Sequence, residues 1–432
     1  MQMNRKENTL RKEFLGVESK IMLEDGSYST AINFDNAATT PPLKVVFDRI
    51  TELIDSYGSI GRGTGQKQTI STENYEEARK YVLNFFNVPN KEEYTAIFVN
   101  NTTDGINRIS NTLLCDGGIV LSTRMEHHSN DLPWRKVAQV DYIEVDSKGR
   151  IDLNSLKEKL EKYKGKLRFL TIAGASNVTG YINDIHYIAK LVHKAGGKII
   201  VDGAQLVPHV KVSMKGLESD DYIDFLVFSG HKIYAPFGSG VILGPKEEFN
   251  KSCPDKQGGG IVEIVNDWSI KYLETPEKNE AGTPNYFGVV SLVESLKEIE
   301  KIGYENLLNH ERELGRYLIN ELKSMDNIIL YGDNENIEDR LGICVFNVKN
   351  IESMEVAKIL AKRKGIAVRH GWFCAHPYCR RLMNLTEDEV CRFLYDKNEK
   401  MPGMVRVSLG PYNTKEDIDI LLEELKNIEN NR

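Results

Sequence analysis

The sequence predicts an α/β protein: a large domain built on a mostly parallel seven-stranded sheet, followed by a smaller C-terminal α+β domain. Three observations carry this reading. Seven short apolar, β-branched runs recur between residues 95 and 244. Amphipathic helical patterns separate several of them, as crossovers between parallel strands require. Beyond about residue 290 the texture changes, and helical patterns dominate with only short strand-like runs between them.

The seven runs are TAIFVN (95–100), GIVLS (118–122), VDYIEV (140–145), LRFLTIAG (167–174), KIIVDGA (198–204), YIDFLVFSG (222–230) and GSGVILG (238–244). Within NDIHYIAKLVHKAGG (183–197), Ile185, Ile188, Ala189 and Val192 recur at helical spacing, and Gly-Gly supplies a stop. The later helical patterns are VVSLVESLKEIEKIG, ENLLNHERELGRYLINELKSM, IESMEVAKILAKRKG and KEDIDILLEELKNIE, with GICVFNV and MVRVSL as strands. The expected division is an N-terminal arm (1–30) packing on the body, a large domain (31–290) and a small domain (291–432). EKNEAGTPNYFG (277–288), punctuated by Gly and Pro, marks the junction.

With 41% hydrophobic and 28% charged residues, the chain has an ordinary globular composition. A net charge of −7 provides no sequence-wide field for nucleic acid or anionic lipid. No apolar run approaches the roughly 20 residues of a membrane span. The charged N-terminus, MQMNRKENTLRKEFLGVESK, lacks the apolar stretch of a signal peptide. Six scattered cysteines do not form a disulfide framework, so a reducing, cytoplasmic setting is expected. CAHPYC lacks the compact paired spacing of a zinc site, and no metal is expected.

Ligands of open parallel sheets bind at the carboxyl ends of the strands, and polar residues gather at those ends here. FVNNTTDG puts Thr102 and Thr103 at a helix start, a natural anion site. ASNVTG brings Asn177, VDGAQ brings Asp202 and Gln205, and FSGHK brings Ser229, His231 and Lys232. Each has an ordinary reading as a cap, turn or surface residue. Together they suit pyridoxal 5′-phosphate, whose aldehyde condenses with lysine and whose ring nitrogen pairs with an acid. Burial lowers a lysine's pKa and makes its amine nucleophilic, which gives Lys232 a reason to follow an apolar strand.

These blocks resemble the class V aminotransferase group of fold-type I pyridoxal-phosphate enzymes. The branch most similar is that of cysteine desulfurases and selenocysteine lyases. The resemblance runs from NFDNAATTPP (33–42) to RVSLGPYNT (406–414), through NNTTDGIN, MEHHSNDLPW, SNVTGYIND, VDGAQ, SGHKIYAPFGSG, EAGTPN and VRHGWFCAHP. It implies that Lys232 carries the cofactor, Asp202 holds the pyridinium and His127 stacks on the ring, His128 being the alternative. Asn177 and Gln205 would bond the phenolic oxygen, and Thr102, Thr103, Ser229 and His231 the phosphate. Thr283 would reach the phosphate of a partner subunit, implying a homodimer with shared sites. Arg406 would clamp the α-carboxylate of a small amino-acid substrate, with Arg369, Arg62 and Asn36 as further substrate contacts.

The resemblance makes Cys374 a nucleophile that takes sulfur or selenium from L-cysteine or L-selenocysteine. This leaves L-alanine and an enzyme persulfide for a sulfur-acceptor protein. One departure stands out: Trp372 and Phe373 precede the cysteine where the group usually has two histidines, which predicts a more apolar thiol setting. His370 and His376 are nearby proton acceptors. An aminotransferase, epimerase or C–S β-lyase without a persulfide would use the same Lys232, Asp202 and Arg406. A non-catalytic scaffold would have lost the lysine or the aspartate, and both are present.

Overall fold

The computed structural model describes residues 10–61, 63–396 and 400–430. Its largest feature is a seven-stranded mixed sheet of β1 (Tyr94–Val99), β2 (Ile119–Thr123), β3 (Gln139–Ile143), β4 (Leu167–Ala173), β5 (Lys198–Asp202), β6 (Phe225–Ser229) and β7 (Gly240–Pro245). The spatial order is β1-β7-β6-β5-β4-β2-β3. β2 is parallel to β3 and β4, β4 to β5, and β5 to β6. β7 runs antiparallel to β1 and β6. The cause is local. Residues 230–239 are too few for the crossover that a parallel pair needs, so the chain turns back.

Both faces of this sheet are covered, which explains why its strands read as near-continuous apolar runs. Ile97, Phe225, Val227 and Ile242 join Ile106, Ile109 and Trp134 in a core on one face. The alternate residues Ala96, Phe98, Leu226, Phe228 and Leu243 join a larger core on the other. The helix Thr102–Leu113 lies close on the first face. A Cβ at Gly105 would come within 2.6 Å of Val227, so only glycine permits this approach.

A second, four-stranded antiparallel sheet follows, ordered Ile328–Leu330, Ile343–Val348, Met404–Ser408, Arg369–Gly371. The helices Tyr304–Lys323, Ser353–Lys364 and Lys415–Asn430 supply apolar residues to its core. Ile32 and Phe34 belong to that core as well, because Ile32–Asn33 pairs in parallel with Ile366–Ala367. Of the expected N-terminal arm, residues 1–9 lie outside the described residues. Arg11 donates to the Tyr412 carbonyl at 2.9 Å and pairs with Asp417 at 3.4 Å. Among the described residues no helix is long and apolar enough to cross a membrane.

Candidate active site

The carboxyl ends of β4, β5 and β6 and the turn after β1 open onto one pocket of about 270 Å³. Thr102, Thr103, His127, Asn177, Asp202, Gln205, Ser229, His231, Lys232, Arg369, Cys374 and Arg406 all line it. Residues separated by up to some three hundred positions in sequence thus converge because a parallel sheet points its strand ends the same way.

Lys232 closes a short 3-10 turn, Gly230–Lys232, at the end of β6. The Gly230 amide donates to Ser239 carbonyl at 2.7 Å, folding the chain back toward β7. Burial pulls the Lys232 amine down to about 8, although Asp202 opposes the shift. Asp202 ends β5, and its Oδ1 accepts the Ala204 amide at 2.9 Å. Burial raises its pKa, and the Ala204 amide and Lys232 counter that. Gln205 donates to the Ala37 carbonyl at 2.6 Å.

A hydroxyl-rich corner forms at the N-terminus of helix Thr102–Leu113. Asn101 caps it by accepting the Asp104 amide at 2.9 Å. The Thr102 amide donates to Ser229 Oγ at 2.8 Å, and the two hydroxyls lie 2.7 Å apart. Thr103 Oγ1 is 2.7 Å from Ser129 Oγ. The helix dipole and the clustered hydroxyls favour an anion at such a terminus. His231 Nδ1 sits 3.2 Å from Thr39 Oγ1. Burial, then Lys232, lowers its pKa to about 4, so its ring is neutral at pH 7.

Of the two adjacent histidines, only His127 lines the pocket. Its Nδ1 accepts the Ser129 amide at 3.1 Å, which leaves the proton of the neutral ring on Nε2. Burial, with Lys232 adding to it, lowers its pKa to about 3.

Arg406 is buried. Its Nη2 donates to Asp35 Oδ1 at 2.8 Å and its Nη1 to the Asn177 carbonyl at 2.9 Å. Among the described residues its Nε has no partner, and its guanidinium lies 5.1 Å from the Phe373 ring centre. Arg369, half exposed, lies 3.4 Å from the other oxygen of Asp35. Asp35 is a residue that sequence reasoning missed. It lies in NFDNAATT, where nothing local distinguishes it from the neighbouring polar residues. Ser129 was missed for the same reason.

Two expected site residues are not brought to this chain's own pocket. Asn36 is buried with its amide already used: Nδ2 donates to the Ser408 carbonyl at 2.9 Å, and Oδ1 accepts Tyr412 Oη at 2.6 Å. Its neighbours Ala37 and Ala38 face the pocket. Thr283 is exposed and outside this chain's own pocket. Arg62 lies outside the described residues.

Cys374 is exposed at the pocket's edge. It and Phe373 adopt left-handed backbone angles, φ 54° and 49°. Asn177 Nδ2 donates to the Phe373 carbonyl at 2.8 Å, and the His128 amide to the Cys374 carbonyl at 2.7 Å. The expected apolar thiol setting holds only in part. Trp372 is buried among Met125, Val178, Tyr378 and Met404 and donates its indole N–H to Pro402 carbonyl. Phe373 alone reaches the pocket wall. His376 does not line the pocket and packs on His128, ring centres 4.5 Å apart. His370 does not line it either.

The chain is similar to known proteins over nearly its whole length. The family model described as aminotransferase class-V matches residues 32–421. A probable cysteine desulfurase of Pyrococcus abyssi is 34% identical, over 92% of this chain and 94% of that protein. A cysteine desulfurase of Shigella sonnei is 32% identical, over 91% and 92%. Among solved structures, an apo cysteine desulfurase from Thermococcus onnurineus superposes with a TM-score of 0.82 at 30% identity, covering 93% of this chain and 95% of that one. The cysteine desulfurase CsdA of Escherichia coli, as its S-sulfonic acid, gives 0.80 at 26% identity and covers 99% of each.

Proposed function

The chain belongs to the aminotransferase class-V family, and we propose that it is a pyridoxal-phosphate-dependent cysteine desulfurase. The observation that carries this reading is that Cys374 lines the same pocket as Lys232, Asp202 and Arg406.

The residues present fit the cofactor. An amine with a pKa near 8 lies within electrostatic reach of a buried carboxylate. Across the pocket, hydroxyls and a helix N-terminus offer donors to a phosphate. Lys232 is the residue to hold the aldehyde, Asp202 the ring nitrogen and His127 the ring face. Thr102, Thr103, Ser229 and His231 take the phosphate, with Asn177 and Gln205 at the phenolic oxygen. Bound there, the cofactor supplies an electron sink for charge developing at the substrate's α carbon.

The protein's own groups then divide the work. The Nε–H of Arg406, without a partner among the described residues, is a donor suited to the α-carboxylate. Arg369 adds positive charge at the same edge. Lys232 takes the α-proton and returns one to carbon. Cys374, as thiolate, attacks the substrate sulfur. The S–S bond forms as the Cβ–S bond breaks, and Cβ keeps the electron pair and is protonated. L-Alanine leaves, and the sulfur stays on Cys374 as a persulfide until an acceptor protein or small thiol removes it.

Thr283, exposed on its own chain, suits a homodimer in which it completes the partner's phosphate corner. The same reading puts the enzyme in the cytoplasm. The test is incubation of cofactor-loaded protein with L-cysteine, with alanine assay and mass spectrometry of the Cys374 peptide. Alanine with a 32 Da gain on that peptide is expected, and Cys374→Ala abolishes both. Pyruvate and ammonia, or turnover undiminished in Cys374→Ala, would overturn the reading in favour of a β-lyase or aminotransferase.

A further inference from the structure

His127 and His128 are neighbours in sequence but face different structures, and we infer that His128 is the positioning residue of the Cys374 loop. The inference rests on the reading of Cys374 as nucleophile. Phe373 and Cys374 both sit in the left-handed region, at φ 49° and 54°. Residues with a Cβ rarely occupy it singly, let alone twice in succession. Such a turn persists only where surrounding contacts hold it.

His128 supplies two of the contacts that do so. Its amide donates to the Cys374 carbonyl at 2.7 Å. Its Nε2 accepts the His376 amide at 3.2 Å. His376 opens the helix His376–Leu382, so that amide has no partner within the helix. One residue therefore grips the loop at Cys374 and two residues beyond. Asn177 holds the third point, the Phe373 carbonyl, at 2.8 Å.

The grip requires a neutral ring with its proton on Nδ1, since Nε2 must accept. The charged and titratable groups facing His128 are His376, His127, Asp131 and Arg135. Asp131 and Arg135 pair with each other at 2.8 Å. Burial and His376 lower the pKa of His128, against Asp131, so the ring is neutral at pH 7. Protonation puts a hydrogen on Nε2 and removes the acceptor. The loop is thus held at neutral pH and released in acid, below the usual histidine midpoint.

The experiment compares cofactor-loaded wild type, His128→Leu and His128→Gln. Glutamine can present an oxygen to the His376 amide, whereas leucine cannot. At pH 7, hydrogen exchange of a peptide spanning 370–380 should be at least fivefold faster in His128→Leu and near wild type in His128→Gln. Persulfide formation should fall about tenfold or more in kcat for the leucine variant, with KM for L-cysteine and the cofactor absorbance unchanged. The glutamine variant should recover most of that rate. Equal exchange in leucine variant and wild type would overturn the proposal. Should His128→Leu not fold, wild type alone decides. Protection of the His376 amide, corrected for intrinsic exchange, should drop as pH falls below the usual histidine midpoint to the acid limit of the folded protein, and a profile flat over that whole range overturns the proposal. Failure of the desulfurase reading shows separately, as absence of persulfide in wild type.

Discussion

Asp35 Oδ1 lies 2.8 Å from Nη2 of Arg406, a contact closed across 371 residues of chain. Arg406 is 3% exposed, and Asp35 is its one carboxylate partner among the described residues. Removing one member of a buried pair leaves the other charge uncompensated, at a cost of about 3 kcal/mol. Asp35→Ala should therefore lower unfolding free energy by roughly that amount, measured by urea denaturation of the apo protein. Asp35→Asn keeps an oxygen acceptor and should lose less. A loss under about 1 kcal/mol in the alanine variant would mean the pair is solvated and not structural.

Lys232 gives a prediction in pH. Its amine titrates near 8 because burial disfavours the ammonium. At pH 7 about a tenth is free amine, against roughly one part in a thousand or less for an exposed lysine. Condensation of apo protein with pyridoxal 5′-phosphate should therefore speed up about tenfold per pH unit below 8 and level off above it. Borohydride trapping followed by peptide mass spectrometry reads the rate and the residue together. A midpoint near 10, or label on another lysine, contradicts the assignment.

How much of this could be read from the chain depended on whether the signal was local. Six of the seven sheet strands were legible because burial on both faces makes each a near-continuous apolar run, the part-exposed edge strand Gln139–Ile143 being the exception, and the strand ends located Thr102, Asp202, Ser229 and Lys232 at the pocket. The reversal of β7 was not legible, since it follows from a short connection and not from the strand's own residues. Asp35 and Asn36 show the limit most clearly. They are adjacent polar residues in one motif, yet Asp35 pairs with Arg406 while Asn36 turns into the protein against Ser408 and Tyr412. Only the distant strand Met404–Ser408 decides between them.

Glu280 gathers four donors. Arg79 Nη1 and Nη2 approach it at 2.9 and 3.1 Å, Tyr75 Oη at 2.9 Å and the Phe98 amide at 2.7 Å. This anchors the segment that ends in Thr283. Glu280→Ala leaves buried Arg79 with only the part-exposed Glu76 carboxylate, 3.2 Å from its Nε, and should cost about 3 kcal/mol, the low end for breaking a buried pair. Because Thr283 is proposed to serve the partner's phosphate corner, the variant should also dissociate to monomers at higher protein concentration than wild type. Urea denaturation tests the first effect, and sedimentation velocity with absorbance at the cofactor band the second. Wild-type dimerisation and cofactor retention in a destabilised variant would separate the anchor from any role between subunits.

Trp372 and Phe373 predict opposite outcomes for the same substitution. Trp372 is buried among Met125, Val178, Tyr378 and Met404, and its indole donates to Pro402 carbonyl. Trp372→His removes much of that packing and should cost about 3 kcal/mol, the low end for losing a buried tryptophan. It does not line the pocket, so kcat/KM for L-cysteine should change less than threefold at a temperature where the variant stays folded. Phe373 does line the pocket, beneath the Arg406 guanidinium at 5.1 Å. Its left-handed backbone, φ 49°, is one that histidine adopts more readily than phenylalanine. Phe373→His should therefore leave thermal stability within about 1 kcal/mol, since relief of backbone strain offsets the lost cation–π contact. Its effect should appear in KM, because the ring that supports the carboxylate-binding arginine has changed. Melting curves and steady-state kinetics on the two variants suffice. Reversed results, with Trp372→His altering KM and Phe373→His unfolding the protein, would mean that the loop's two aromatic residues have exchanged places.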